Sequence, residues 1–388
     1  MAENQPTNKY RMITALSQFA SRFREMIISE CRVSQWHLSP ANEDLSNLPF
    51  RNFDSLALEL FALQFQHNPG YRKICAARGL TPKAVNHWQQ IPAVPTSLFK
   101  ELELTSIPAE ERTAVFHSSG TTEQKPSRHF HGPESLAVYE ASLGTWFWSH
   151  FQSPASHFQL ICLTPPPEQA PNSSLVHMFQ TVWQKSGGAS VLASRAPFVG
   201  LIEKDGAWTL DFEAAISVLD NSQSATGHPR LILGTAFSFV HLLDHLAERN
   251  LKLKLPAGSQ VMETGGYKNR SRSLPKAELH ALITERLGVS PENIICEYGM
   301  SELSSQAYAG SNGVFGFPLW VRAQIISPET GREVADGQTG LIRIFDLANV
   351  FSVAALQTED LGIRRGSGFE LVGRASLAEP RGCSLMNA

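Results

Sequence analysis

The sequence predicts an α/β protein with a mostly parallel central sheet flanked by helices. Between about residues 115 and 315, short apolar segments typical of buried strands alternate with longer segments of helical periodicity. Before this region the chain has helical periodicity, and after it the pattern is that of antiparallel hairpins. We therefore expect a helical N-terminal region over 1–114, an α/β core over 115–315 and a small β-rich subdomain over 316–388.

The N-terminal region is expected to be helical from about residue 10 to 90. A broad apolar stripe covers 55–65 and follows Asp54, a candidate helix cap. Pro69 should open the next helix and Gly79 should end it. The proline-containing segment 91–95 predicts an extended connector into the core.

Four strands and four helices are predicted within the core. The strands are at 158–163, 231–233, 260–262 and 293–298. The helices between them are near 174–186, 211–220, 237–249 and 275–287. Glycine and hydroxyl residues follow these strands, and ligands of parallel sheets bind beyond the carboxyl ends of the strands. The strand ends therefore predict one shared crevice. After the core, strands at 321–327 and 340–345 predict a hairpin.

Composition and charge limit the classes of partner. The chain has 388 residues, of which 42% are hydrophobic and 18% charged, and this length can bury a large core. The net charge of −3 disfavours a nucleic-acid partner. No apolar run reaches membrane-spanning length, and the polar N-terminus does not resemble a secretion signal. Five scattered cysteines indicate reduced thiols, so we expect a cytoplasmic protein.

A hydroxyl-rich loop follows a short strand predicted at 113–116. The loop and the cations after it are Ser118, Ser119, Gly120, Thr121, Thr122, Lys125 and Arg128. Such a loop gathers hydroxyls and backbone N–H groups around one point, which suits a polyphosphate. An ordinary turn is the alternative, because serine, threonine and glycine are common in turns.

Three other motifs, for binding phosphate, for a catalytic nucleophile and for binding metal, do not match this sequence. The loop lacks the second glycine that a P-loop places before its lysine. Neither the loop nor the segment around Ser301 spells a G-x-S-x-G nucleophile elbow. The chain contains no H-E-x-x-H or C-x-x-C pair, so a zinc site has no support in the sequence.

Three further segments and a Gly-Arg pair complete a set with this loop. They are Thr264-Gly265-Gly266-Tyr267-Lys268, Tyr298-Gly299-Met300-Ser301-Glu302, Thr358-Glu359-Asp360-Leu361-Gly362 and Gly373-Arg374. Together they resemble the nucleotide-binding motifs of adenylate-forming enzymes, which include acyl-CoA synthetases and luciferases. Segments 91–100, 117–122 followed by 126–129, 263–268 and 381–385 more closely resemble the acyl-protein synthetases of bacterial bioluminescence operons, the LuxE-like family.

The resemblance implies ATP and Mg²⁺ as cofactors and assigns roles to individual residues. The hydroxyl-rich loop would hold the phosphates, while Gly265 and Gly266 would allow the backbone to approach adenine closely. Tyr298, which precedes Gly299, would stack on the adenine, and Asp360 would accept hydrogen bonds from the ribose, assisted by Arg374. Without the resemblance, Tyr298 is more simply a core aromatic residue and Asp360 a turn cap.

The same resemblance assigns the chemistry to two adjacent residues. Ser301 would donate a hydrogen bond to the α-phosphate or to the acyl oxygen, and Glu302 would bind Mg²⁺ through its carboxylate. A solvated carboxylate at the start of a helix is the alternative for Glu302.

The sequence departs from the superfamily pattern in two places. Glu123 replaces a loop glycine, and Lys125 precedes Pro126 instead of following it, so Arg128 is an alternative phosphate-binding cation. The superfamily also continues past the Gly-Arg hinge into a lid domain with a catalytic lysine. We expect no C-terminal lid domain, as is typical of the LuxE-like family, and Lys268 is the candidate replacement.

Cys383 is the candidate acyl acceptor. In the resembled family a cysteine in the C-terminal segment takes the acyl group as a thioester before a reductase partner consumes it. Arg381 would lower the pKa of this thiol. The alternative is an inert cysteine on a tail.

The predicted function is that of an ATP-dependent ligase. It would form an acyl-adenylate from a carboxylic acid, expected to be a fatty acid, and transfer the acyl group to a protein cysteine for delivery to a reductase. One alternative is a ligase that acylates coenzyme A or a carrier protein without Cys383. Another is a nucleotide-binding regulatory subunit with reduced catalysis.

Overall fold

The structure is a computed structural model, which describes residues 8–34, 50, 52–118, 125–151, 158–186, 197–220, 227–266 and 271–375. Six of the predicted site residues lie outside these ranges: Ser119, Gly120, Thr121, Thr122, Lys268 and Cys383. Within the described residues, no helix combines the length and the apolar character needed to cross a membrane.

The described chain begins with three helices, continues with a mixture of helices and strands and ends with a run of strands. The helices are α1 (Asn8–Ser34), α2 (Phe53–His67), α3 (Pro69–Ala77), α4 (Leu98–Glu101), α5 (Pro133–Trp148), α6 (Ser174–Lys185), α7 (Phe212–Leu219), α8 (Ala236–Glu248) and α9 (Lys276–Leu287). The strands are β1 (Val94–Pro95), β2 (Ala114–His117), β3 (Arg128–His131), β4 (Gln159–Cys162), β5 (Gly200–Ile202), β6 (Trp208–Leu210), β7 (Arg230–Thr235), β8 (Gln260–Thr264), β9 (Ile294–Tyr298), β10 (Ala307–Ala309), β11 (Val314–Phe315), β12 (Val321–Ile326), β13 (Thr339–Asp346), β14 (Ala355–Arg365) and β15 (Gly368–Arg374).

The core is a five-stranded sheet with the strand order β10-β9-β8-β7-β4. Strands β4, β7, β8 and β9 are parallel, and β10 is antiparallel to β9. Buried side chains of α5 and α6 cover one face, and those of α8 and α9 cover the other. The predicted parallel sheet flanked by helices is therefore present, with its four strands and four helices near the predicted positions.

The start of α2 differs from its prediction. The helix begins at Phe53, and its N-cap residue is Asn52 rather than Asp54. Asp54 lies in the first turn, where its Oδ1 accepts a hydrogen bond from the backbone N–H of Trp88 at 2.9 Å. The carboxylate therefore fastens a distant segment to the helix start, a role that the local sequence pattern does not reveal.

A second sheet follows the core, with the strand order β11-β15-β14-β13-β12 and antiparallel pairing throughout. The predicted hairpin is β12 and β13. Strand β1, from the predicted connector, adds parallel to β14. Buried residues of α1, α2 and α3 share one hydrophobic cluster with this sheet, including Phe19, Phe61, Trp320 and Ile344. The two ends of the described chain thus pack together beside the core.

Candidate nucleotide-binding and acyl-activation site

The contact between the two sheets brings together the residues predicted to bind the nucleoside. Tyr298 is the last residue of β9, and its hydroxyl donates a hydrogen bond to Asp360 Oδ2 on β14 at 2.9 Å. Arg374, the partner of Asp360 in the β14–β15 register, places its Nε 3.6 Å from Asp360 Oδ1. Burial raises the pKa of the Asp360 carboxyl, although the Tyr298 hydrogen bond and the Arg374 charge oppose this rise.

The Tyr298 ring is enclosed by other aromatic rings. It meets Phe315 and Phe369 edge-on, with centroid separations of 6.1 and 5.4 Å, and it also contacts Phe317. The residue is 6% exposed. In this conformation Tyr298 packs as a core aromatic residue. Its stacking on adenine stays a prediction.

Ser301 and Glu302 form a buried pair in the loop after β9. The Ser301 hydroxyl donates to Glu302 Oε2 at 3.0 Å, and the Asn349 side chain donates to the Glu302 carbonyl oxygen at 2.9 Å. Both residues are at most 6% exposed. A buried carboxylate such as that of Glu302 fits Mg²⁺, which usually takes one or two protein carboxylates and completes its coordination with substrate phosphates and water. Glu302 is the residue that would hold this ion.

This pair is supported by His129 on strand β3 and by Ser127, the residue just before that strand; the sequence motifs assign neither residue a role. The Ser127 hydroxyl is 3.3 Å from the Ser301 hydroxyl, and His129 Nδ1 is 2.8 Å from the Ser301 carbonyl oxygen. Burial lowers the pKa of His129 to about 4, opposed by its contact with that carbonyl. The ring is therefore neutral near pH 7, and because a carbonyl only accepts, Nδ1 carries the proton. The sequence signal that could have identified these residues is the strand period of two, which turns residues 127, 129 and 131 to the same side.

Ser118, the described residue of the hydroxyl-rich loop, is joined to the residue just before β3. Ser118 Oγ accepts a hydrogen bond from the backbone N–H of Ser127 at 3.0 Å. The two candidate phosphate cations lie in ion pairs nearby. Lys125 Nζ is 3.7 Å from Glu101 Oε2, and Arg128 Nη1 is 3.7 Å from Glu103 Oε1. Because these pairs are partly or largely exposed, they are weak and can exchange for a more charged partner.

The end of β8 presents the predicted glycine pair beside a buried acid. Gly265 has a φ of +69°, a left-handed conformation that favours glycine, and Gly266 follows it. Just before them, the Thr264 hydroxyl donates to the carboxylate of Glu297, and burial raises the pKa of Glu297 to about 7. A Cβ on Gly299 would clash with Glu297 Oε1, so a larger residue at this turn would force the Glu297 carboxyl to move. The sequence motifs also assign no role to Glu297. The signal that could have identified it is a charged residue within an otherwise apolar strand.

The two sheets and their flanking helices define the class of fold, which is that of adenylate-forming ligases. It is similar to 2-hydroxyisobutyryl-CoA ligase in an open conformation in complex with 2-HIB-AMP and CoA, with a TM-score of 0.59 and 16% identity over 82% of this chain and 74% of that chain. The postadenylation state of that ligase, in complex with 2-HIB-AMP, matches with a TM-score of 0.59 and 16% identity over 87% of this chain and 72% of that chain.

The chain belongs to the family of acyl-protein synthetases, LuxE, which it matches over residues 38–388. Its relatives include the long-chain-fatty-acid–luciferin-component ligase of Aliivibrio fischeri, 26% identical over 348 residues that cover 86% of this chain and 87% of the relative. The ligase of the same name from Vibrio harveyi is 26% identical over 340 residues, 84% of each chain. The family predicted from the motifs is thus confirmed, and the protein is a ligase.

Proposed function

We propose that this protein activates a long-chain fatty acid with ATP and transfers the acyl group to the thiol of Cys383. The observation that carries the proposal is the convergence of Tyr298, Ser301, Glu302 and Asp360 at one junction between two sheets. The name of the relatives, long-chain-fatty-acid ligases, supports the choice of acid.

In the first step, an oxygen of the substrate carboxylate attacks the α-phosphorus of ATP. A new phosphorus–oxygen bond forms, and the bond to pyrophosphate breaks, which leaves an acyl-adenylate. Bound Mg²⁺ would neutralise phosphate charge in this step. Ser301 donates its hydroxyl hydrogen bond to the α-phosphate or acyl oxygen, where negative charge must be stabilised. Asp360 orients the nucleotide through the ribose, and Tyr298 stacks on its base.

In the second step, the Cys383 thiolate attacks the acyl carbon, and AMP leaves with the electron pair of the broken carbon–oxygen bond. The product is a thioester on the protein, which a reductase partner would consume. In the first step, adenylation, Lys268 takes the place of the lysine that the wider superfamily carries on its lid domain. This chemistry is proposed to occur in the cytoplasm.

Intact-mass analysis tests the acceptor. After incubation with Mg-ATP and an isotopically labelled long-chain acid, the wild-type protein should carry one acyl adduct that hydroxylamine removes. Cys383→Ala should lose the adduct while retaining acid-dependent ATP–pyrophosphate exchange, because activation does not use the tail thiol. Ser384→Ala, the neighbouring change, should keep both.

Two other outcomes would replace the proposal. Wild-type protein that never carries the adduct, yet makes acyl-CoA when coenzyme A is added, is a coenzyme A ligase with Cys383 uninvolved. Protein that binds ATP but catalyses no exchange with any acid of a mixed library is the regulatory subunit instead.

A further inference from the structure

Glu263, His280 and Cys296 form a compact cluster that the activation chemistry does not use. Glu263 on β8 and Cys296 on β9 are partners in the strand register, and His280 lies on α9, which covers them. Glu263 and Cys296 are 3% and 2% exposed. The three residues are separated by 17 and 16 positions in the sequence, so only the fold brings them together.

The distances between the donor atoms match a small tetrahedral site. Cys296 Sγ is 3.8 Å from His280 Nε2, and His280 Nε2 is 3.5 Å from Glu263 Oε1. All three donor atoms lie within 4.8 Å of one another. Around a tetrahedral zinc ion, the sulfur–nitrogen and nitrogen–oxygen edges are about 3.6 and 3.4 Å. These two edges therefore need to change by only a few tenths of an ångström to enclose an ion, and the third edge, between Cys296 Sγ and the Glu263 carboxylate, is at most 4.8 Å.

A lysine occupies the position next to this cluster. Lys276 Nζ is 3.6 Å from Glu263 Oε1 and also lies 5.0 Å from the centre of the Phe315 ring. Burial alone would raise the pKa of the Glu263 carboxyl, but His280 and Lys276 together lower it, so the carboxylate is charged. The Lys276 side chain is 49% exposed, which leaves it room to turn toward solvent. An incoming cation could then take over its neutralising role.

We propose that Glu263, His280 and Cys296 bind a divalent transition-metal ion of the zinc type, with water in the fourth position. A thiolate and an imidazole favour Zn²⁺ or Co²⁺ over Mg²⁺ and Ca²⁺, which prefer oxygen ligands. On binding, the sulfur–metal bond replaces the sulfur–hydrogen bond, and the proton passes to solvent. Burial raises the pKa of the Cys296 thiol to about 12, so the thiol keeps its proton near pH 7 until a metal replaces it. Local motifs gave a zinc site no support, and these three residues come together only in the fold.

Cobalt titration of the reduced full-length protein tests the proposal. One equivalent of Co²⁺ should produce the near-ultraviolet thiolate-to-cobalt absorption, together with the strong visible bands of tetrahedral cobalt, and Zn²⁺ should abolish both. Cys296→Ser should lose the near-ultraviolet band, and His280→Ala should weaken binding at least tenfold. Lys276→Gln should tighten binding, because it removes a competing positive charge.

Matched controls separate this site from other thiols. Cys162→Ser changes another buried cysteine that lies on β4, and Cys383→Ser changes the tail, so both variants should keep the full spectrum. Glu263→Gln, checked for folding by circular dichroism, should weaken binding even if Cys296→Ser does not fold. The proposal is wrong if the wild-type protein shows no thiolate–cobalt band, or if Cys383→Ser rather than the cluster variants removes it.

Discussion

Asp360 interacts with one aromatic hydroxyl and one guanidinium, and each contact comes from a different strand. Its carboxyl accepts a hydrogen bond from Tyr298 on β9 and faces Arg374 on β15. The Arg374 side chain is 77% exposed, so it can move without disturbing the core. A ribose with two hydroxyl donors would find a carboxylate already oriented by Tyr298.

Asp360→Ala is expected to raise the KM for ATP by roughly tenfold and to leave the KM for the acid nearly unchanged. A ribose contact is made in both the ground state and the transition state, so its loss acts mainly on binding. ATP–pyrophosphate exchange at varied ATP and acid concentrations measures both constants. Glu359→Ala, an exposed neighbour on the same strand, should change neither. A shift confined to the acid KM would assign Asp360 to the acyl pocket.

Glu302→Gln is expected to lower acid-dependent ATP–pyrophosphate exchange by roughly a hundredfold or more. Losing a metal-binding carboxylate removes several kcal/mol of charge stabilisation in the transition state. The amide is the same size and can still accept from Ser301, so the circular dichroism spectrum and thermal midpoint should not change. Glu292→Gln, on the surface, serves as the control. Exchange at the wild-type rate in Glu302→Gln would contradict the metal-binding role.

At the scale of elements, strand β3 and the residue before it support the loop that carries Ser301 and Glu302. Alternate residues Ser127, His129 and His131 turn inward and are at most 2% exposed. Two of them contact Ser301, while Ser118, just after β2, accepts a hydrogen bond from the backbone N–H of Ser127, just before β3. The hairpin thus couples the start of the hydroxyl-rich loop to the residues after β9.

His129→Phe is expected to lower the kcat of adenylate formation by roughly tenfold, with a small change in either KM. The ring volume is kept, but the hydrogen bond that holds the Ser301 carbonyl is lost, leaving a buried acceptor without its donor. In His129→Asn, the amide nitrogen occupies nearly the place of Nδ1 and should restore much of the rate. Equal loss in both variants would indicate a packing role rather than a positioning role for His129.

Across the whole molecule, one hydrophobic cluster joins the N-terminal helices to the second sheet. Gln64 of α2 is buried there; its side chain donates to the carbonyl oxygens of Asn349 and Val350 and accepts from the N–H of Ala354. Asn349 in turn contacts the Glu302 backbone. The division into three regions along the chain stays a prediction, while packing couples the first and last regions and connects both to the site.

The buried Glu297 makes the stability of the whole protein depend on pH. Its pKa rises from 4.5 to about 7 on folding, chiefly through burial. Below pH 4.5 both states hold the proton, and as pH rises the unfolded state releases it first. The free energy of unfolding should therefore fall between pH 4.5 and 7, by on the order of 3 kcal/mol from this group.

Glu297→Gln should remove this contribution, because an amide does not ionise. Urea unfolding of the wild type and the variant at pH 4.5 and 7.5 measures the effect, and the variant should lose less stability over that interval. Glu248→Gln, an exposed change at the end of α8, should follow the wild type. A parallel pH dependence in Glu297→Gln would mean that another group dominates.

The sequence by itself determined the parallel sheet, its flanking helices, the later hairpin and the family. These features depend on local information, namely apolar periodicity, turn residues and short motifs. All of these can be recognised in contiguous stretches of the sequence. Strands β4, β7, β8 and β9 accordingly lie within a few residues of their predicted positions. The family motifs also pointed to Tyr298 and Asp360, which the fold brings into hydrogen-bond contact.

Tertiary structure alone decided which residues support these motifs. His129 and Ser301 are 172 positions apart, and the three residues of the proposed metal site come from two strands and a helix. Asp54 is of a residue type that often caps helices, yet its carboxylate accepts a hydrogen bond from the backbone N–H of Trp88 instead. Partners of this kind are set by strand order and by which face a helix covers. No local sequence pattern predicts the strand order or the face that a helix covers. The free energy that selects them comes from burying many side chains that are distant in sequence.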